Sequence, residues 1–270
     1  MVQPSKTVLE AFGAAGTPSP LAGGQDENFR SGDTVFKPAK NDEETNWLAK
    51  FYSSADQDGF RLPKPIRSNI GGFVFDGWQA WEFLEGEHRE NHWLETIEVC
   101  VQFHNAISKY PIPEYFERRE QNPWVVADKL TFGEIDEIEY HPKIAPAVKA
   151  LRSCLKPIEQ HPQLIHGDFG GNVLFSENQP PAIIDFSPYW RPIPFAVGVV
   201  IADAIVWSGA KVSLIEAGGR FEDFDQHLAR AELRRVIELE THRQIFGVDV
   251  IDQIDTHWPL IDTICRRCTT

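Results

Sequence analysis

Leu164-Ile165-His166-Gly167-Asp168-Phe169-Gly170-Gly171-Asn172-Val173-Leu174-Phe175, with Pro181-Ala182-Ile183-Ile184-Asp185-Phe186 shortly after it, decides the reading of this chain. Two carboxylates and an amide stand where apolar runs give way to polar loops. Phosphoryl transfer needs such a set: one carboxylate takes or orients the proton of the attacking hydroxyl, while an Asn and a second Asp hold the metal at the nucleotide phosphates. Asp168 suits the first role, and Asn172 and Asp185 the other two. Residues 173–175 and 182–184 flank the polar turn 176–181 and read as a β-hairpin. Antiparallel pairing there predicts both metal ligands at one end. Turn hydrogen bonds in a Gly-rich loop are an ordinary use of Asx residues, but they account for one such residue better than for three beside a histidine.

His166-Gly167-Asp168…Asn172 followed by Ile183-Ile184-Asp185-Phe186 resembles the kinase-like phosphotransferase superfamily that includes aminoglycoside phosphotransferases and choline kinases. The run through residues 187–192 is most similar to a bacterial branch of it. The resemblance implies that Asp168 is the catalytic aspartate, Asn172 the catalytic-loop metal ligand and Asp185 the aspartate that chelates the metal at the phosphates. Phe169-Gly170-Gly171 puts three residues between Asp168 and Asn172 where the family usually has four, and the two glycines are expected to let the backbone take the shorter route. Gly167 stands where protein kinases usually carry an arginine that pairs with a phosphorylated activation loop, so the resemblance favours a small-molecule acceptor over that kind of regulation. His166 reads as a structural residue at the head of the loop.

The same resemblance implies a nucleotide lobe upstream. Residues 21–33 followed by Thr34-Val35-Phe36-Lys37 look like a strand, a turn bearing Gly23-Gly24, and a strand ending in a lysine. In a kinase-like lobe that turn covers the phosphates and Lys37 pairs with the α- and β-phosphates. Residues 42–52 have helical character, with Trp47, Leu48 and Phe51 on one face. Glu43 and Glu44 lie in the first turn, where acids favour the helix dipole. Glu44 is the expected partner of Lys37, because it precedes Trp47 and Leu48 by one turn. Residues 72–84 form a hairpin around Asp76-Gly77. By family analogy Glu82, Phe83 and Leu84 at its end are the hinge whose backbone reads the adenine edge.

Downstream, Trp93, Ile97, Cys100, Val101, His104 and Ile107 recur at helical spacing, with His104 expected as a hydrogen-bonded core histidine. Residues 144–155 predict a helix, and 195–207 a largely apolar one containing Asp203, which needs a partner if buried. By resemblance Asp203 braces the catalytic segment. Residues 224–246 alternate charge with apolar side chains and read as an amphipathic surface helix. The four cysteines are too few and scattered for a disulfide framework, and all four are read as reduced and noncatalytic.

A chain of 270 residues can bury a sizeable core. No apolar run approaches the ~20 residues of a membrane helix, and the first residues lack a basic flank followed by an apolar core, so a cytoplasmic location away from membranes is expected. The net charge of −14 argues against a nucleic-acid partner and leaves a cationic acceptor open. The expected fold is α+β, bilobal and protein-kinase-like: a small β-rich nucleotide-binding lobe over residues 1–84 and a larger, mainly helical catalytic and substrate lobe over 85–270. The expected reaction moves the γ-phosphoryl of ATP, with Mg2+, to a hydroxyl of an aminoglycoside-, choline- or sugar-like molecule. The alternative is an ATP-binding protein of the same fold with little or no turnover. A metal hydrolase built on His166, Asp168 and Asp185 is a third class, with no second histidine beside these residues to support it.

Overall fold

The computed structural model describes residues 2–21, 27–159 and 161–268, and the chain divides into two compact units. The first comprises residues 1–88, 113–117 and 174–184. It opens with α1 (Lys6–Ala11), β1 (Ser19–Pro20), β2 (Phe29–Ser31), β3 (Thr34–Pro38), α2 (Asp42–Ser54), β4 (Pro65–Ile66), β5 (Val74–Phe75) and β6 (Trp78–Glu82). The strands form one antiparallel sheet in the order β1-β2-β3-β6-β4, with β5 also paired to β6. Residues 29–31 are thus a strand in their own right, and the Gly23-Gly24 turn lies outside the described residues. Asp76 and Gly77 both take positive φ, 48° and 74°, as a two-residue turn matched to strand twist requires.

Alternation along β3 and β6 assigns the two sheet faces. Phe36 stands opposite Ala80 and joins Phe29, Trp78, Val8 and Leu9 of α1, and Phe12 just past it in one core. Val35 and Lys37 therefore lie on the other face, where Val35 is opposite Trp81 and Trp81 meets Tyr52 of α2 edge-on at 5.0 Å. Lys37 and α2 share a side of the sheet.

The chain continues with α3 (Trp93–Ile107), α4 (Pro123–Phe132), α5 (Ala145–Cys154), β7 (Gln163–His166), β8 (Val173–Leu174), β9 (Ala182–Ile183), β10 (Pro188–Arg191), α6 (Ile193–Trp207), α7 (Phe224–Thr241) and α8 (Ile254–Cys268). Strands β8 and β9 pair as the hairpin reading expects. The Arg61 amide donates to the Pro181 carbonyl oxygen (2.7 Å) and the Phe175 amide to that of Glu87 (2.9 Å), which ties this hairpin into the first unit.

The second unit (residues 89–112, 118–173 and 185–270) is mainly helical. Here one expectation fails. The segment 224–246 is not a surface helix: α7 is the buried centre of the unit, packed by α4, α5, α6 and α8, with every residue but Asp225 buried. Helical alternation of charge marks a solvated face only if the charges stay in water. Here they are paired inside, Glu232 with His257 Nδ1 at 2.8 Å for one. Gly198 allows α6 its close approach, since a Cβ there would lie 3.2 Å from both the Ala231 Cβ and the His227 carbonyl oxygen. Beyond Thr241 the helix loosens into a single π-turn, His242–Phe246.

Cys100 and Cys154 are buried thiols, and Cys265 on α8 lies 3.4 Å from the Cys154 sulfur. Among the described residues no helix is long and apolar enough to cross a membrane.

Candidate functional site

The loop that carries Asp168 starts from β7, which pairs antiparallel with β10 so that His166 faces Pro188. His166 is fully buried. Its amide donates to His104 Nε2 (2.9 Å), while His104 Nδ1 donates to the Cys100 carbonyl oxygen (2.6 Å). Desolvation, then the neighbouring His166, pushes the His104 pKa down to about 3. The ring therefore stays neutral, and a single tautomer serves both bonds. His166 in turn accepts the Asp168 amide at Nδ1 (3.1 Å) and packs edge-on against Phe169 and Phe186, each at 5.5 Å. These contacts make it part of the loop's frame.

Packing dictates the glycine at 167. A Cβ would lie 2.2 Å from the Tyr189 ring, so no arginine fits there. A guanidinium reaches the loop from elsewhere: Arg234 donates to the Gly167 carbonyl oxygen (2.8 Å) and lies over the Tyr189 ring at 4.8 Å.

Asp168 is half-exposed and bonded to the buried Arg235, Nη2 to Oδ1, at 2.7 Å. The same guanidinium binds both oxygens of Asp203 (2.8 and 2.6 Å) and Oε2 of Glu238 (2.9 Å). Arg234 Nε holds the other Glu238 oxygen at 2.7 Å. Partial burial alone would raise the Asp168 pKa, but Arg235 outweighs it and holds the carboxyl below its ordinary value. At Asp203 the balance tips the other way. Desolvation dominates over the pull of Arg235, Asp168 and Glu238 add repulsion, and the pKa rises to about 6. Asp203, its side chain 15% exposed, thus has the partner that its position demanded.

The short loop closes through a tight turn in which the Asn172 amide donates to the Phe169 carbonyl oxygen (3.0 Å). Asn172 Nδ2 reaches back to the Asp168 carbonyl oxygen (2.6 Å) and to its carboxylate (3.4 Å). Neither Gly170 nor Gly171 is at positive φ, so the shorter route does not use the conformational freedom expected of them. Asp185 sits two residues past β9 with φ of +50°. A non-glycine residue seldom adopts that conformation, and where it occurs it is often at a functional site.

The upstream residues all belong to the first unit. Lys37 is half-buried near the end of β3, opposite Gln79. Asn41 caps α2 by accepting the amides of Glu43 and Glu44. Glu44 is half-buried and its Oε1 accepts the Tyr115 hydroxyl (3.4 Å), whereas Glu43 is exposed. The Glu82 amide donates to the Lys64 carbonyl oxygen and the Phe83 amide to that of Asp33, both at 2.8 Å. The Phe83 ring lies under the Arg30 guanidinium at 3.4 Å.

Within the second unit Asp168 borders a cavity of about 490 Å³, walled by Trp93, Trp124 and Trp207 and by Asp203, Arg235 and Glu238. This volume lies in the range of small-molecule sites. Sequence reasoning overlooked Arg234, Arg235 and Glu238. The available signal was a buried Asp203 that needs a partner, set beside arginines three and four residues before a glutamate. It also overlooked Trp93 as a wall and did not consider Trp124.

The model of the phosphotransferase enzyme family matches residues 18–189, well over half of the chain. No curated protein sequence matched it. Among solved structures, a thermostable mutant of the aminoglycoside phosphotransferase APH(4)-Ia is similar, with a TM-score of 0.59 and 15% identity over 97% of this chain and 98% of that one. The spectinomycin phosphotransferase APH(9)-Ia, solved with ADP and spectinomycin, gives 0.58 and 15% over 94% and 93%. A choline/ethanolamine kinase family protein from Mesorhizobium loti gives 0.55 and 13% over 93% and 89%. At such identities the likeness speaks for the fold, the kinase-like α+β arrangement expected from the sequence. The family match spans β3 and its lysine, the loop of Asp168 and Asn172, and Asp185, and by it the chain belongs to the phosphotransferase enzyme family.

Proposed function

We propose that the protein transfers the γ-phosphoryl of ATP to a hydroxyl of a small molecule, with Asp168 as the catalytic carboxylate. The observation that carries this reading is an aspartate held ionised by Arg235 at the border of a cavity large enough for an acceptor. Asp168 would orient the acceptor hydroxyl and take its proton, and the loop's buried frame would keep that carboxylate in place. Acceptor-dependent ADP release in a screen of hydroxylated metabolites and aminoglycosides tests it. Tight ATP binding with no turnover under any condition would favour the second reading, a nucleotide-binding protein of the same fold.

Asn172 and Asp185 fit magnesium by the chemistry of their donors. Asn172 spends its Nδ2 on Asp168, which leaves the amide oxygen as its ligand atom, and Asp185 supplies a carboxylate. Magnesium is usually held through one or two such groups together with substrate phosphates. Bound there, it would neutralise charge on the nucleotide phosphates. Calorimetric titration of MgATP into Asp185→Ala is expected to show a large loss of affinity, and unchanged metal-dependent binding would point to other ligands.

Lys37 would pair with the α- and β-phosphates, and Glu44, from the helix on the same side of the sheet, would orient it. In the hinge segment the amides of Glu82 and Phe83 are already committed within the first unit, so we assign the donor toward adenine to Leu84, with the Glu82 and Phe83 carbonyls beside it. Lys37→Ala is expected to weaken ATP binding far more than adenosine binding. Glu44→Ala should give a milder form of the same bias and add little in the double variant. Equal weakening for both ligands would make Lys37 a support of the sheet, and fully additive losses would move attention to Glu43.

A further inference from the structure

The charges and rings around Asp168 say more about the acceptor than the net charge of the chain does. Three carboxylates border the cavity, those of Asp168, Asp203 and Glu238, and all three are bonded to guanidiniums. Arg235 holds each of them, and Arg234 holds Glu238 a second time. Three acids against two arginines leave a single negative charge, and the reaction itself needs it at Asp168. No carboxylate among them is left over for an ammonium group.

The aromatic wall points the same way. Tryptophan faces can bind cations within about 6 Å of the ring, but the Trp207 ring already has the Arg235 guanidinium over it at 5.4 Å. That ring is therefore already engaged by one cation, which leaves less of its face for a second. Trp93, Trp124 and Trp207 come from α3, α4 and α6. They offer indole surface to a flat or ring-shaped molecule, with few charged groups that are not already paired.

We infer that the acceptor is an uncharged, ring-bearing polyol, a sugar or simple glycoside, packed among Trp93, Trp124 and Trp207 with one hydroxyl at Asp168, and not a polycationic aminoglycoside or an ammonium alcohol. This narrows the phosphoryl-transfer reading and rests on it. In the reaction the hydroxyl oxygen bonds to the γ-phosphorus, the bond from that phosphorus to the β,γ-bridging oxygen of ATP breaks, and the hydroxyl proton passes to Asp168.

The test uses the full chain and matched probes: neutral hexoses and methyl hexosides, each beside its amino-sugar counterpart, with choline and kanamycin as cationic references. Binding is read by tryptophan fluorescence and turnover by ADP release. Neutral members should bind and turn over at least about tenfold better than their ammonium counterparts. Trp124→Ala should weaken them by about tenfold while MgATP affinity is unchanged. Better binding or turnover of the ammonium members, of choline or of kanamycin overturns the inference, as does the absence of binding by any neutral probe. The two readings separate cleanly. Neutral sugars that bind without ADP release remove phosphoryl transfer and keep the pocket assignment, whereas ADP release with cations alone does the reverse.

Discussion

Asp168→Asn should leave the fold and nucleotide affinity intact and lower turnover by about 10²–10⁴-fold, the usual scale of general acid–base assistance. The substitution keeps shape and an oxygen that can still accept from Arg235, and Arg235 retains Asp203 and Glu238. The loop's hold on position 168 runs through backbone groups, the amide bonded to His166 and the carbonyl oxygen bonded to Asn172, which the change does not touch. What is lost is the capacity to take a proton. Because Arg235 holds the Asp168 pKa below its ordinary value, the wild-type carboxyl is ionised throughout the neutral range, and the deficit should not vary with pH there. Steady-state turnover with the best acceptor, together with a MgATP titration, checks both halves. A variant with near-wild-type turnover removes Asp168 from the catalytic role.

Much of the fold could be read from residue order alone, for reasons visible at particular places. The Asp76-Gly77 turn, the two glutamates in the first turn of α2 and the 3-4 spacing along α3 are local signals, and their elements form where those signals lie. His104 was legible as a core histidine because it stands in an apolar stripe. The loop of Asp168 and Asn172 could be placed because its residues are close in sequence. The electrostatic frame behind it could not. Arg235 is 67 residues from Asp168 and 32 from Asp203, and a helix with charges at regular spacing looks the same whether they face water or one another. That ambiguity is what turned α7 from the core of its unit into an expected surface helix. Gly167 carries a similar lesson. Its identity suggested a regulatory contrast with protein kinases, while the immediate physical cause is the Tyr189 ring where a Cβ would be.

Arg235→Ala is expected to be the most damaging single change to stability. Breaking a buried ion pair by removing one partner typically costs about 3–5 kcal/mol, because the remaining charge is left uncompensated. Here three carboxylates would lose their shared cation, with only Arg234 still on Glu238. Against a total stability of roughly 5–15 kcal/mol, such a loss leaves little margin, so denaturant titration at low temperature is the suitable measurement. The sign of the pH dependence identifies the cause. In the wild type Arg235 depresses the pKa values of Asp168 and Glu238 against their desolvation, and the stability they contribute is lost as pH falls through those values. Without the guanidinium, desolvation and repulsion between neighbouring carboxylates push up the acids that lose their partner, Asp203 foremost, while Arg234 still holds Glu238 down. The penalty is then full above the raised values and fades as pH falls through them. The variant should therefore close part of its gap to the wild type on mild acidification, and Arg235→Lys, which keeps the charge but not the forked geometry, should fall between the two. A gap that stays constant with pH would assign the loss to packing of the side chain, and a loss below about 1 kcal/mol would mean that the network does not hold the loop.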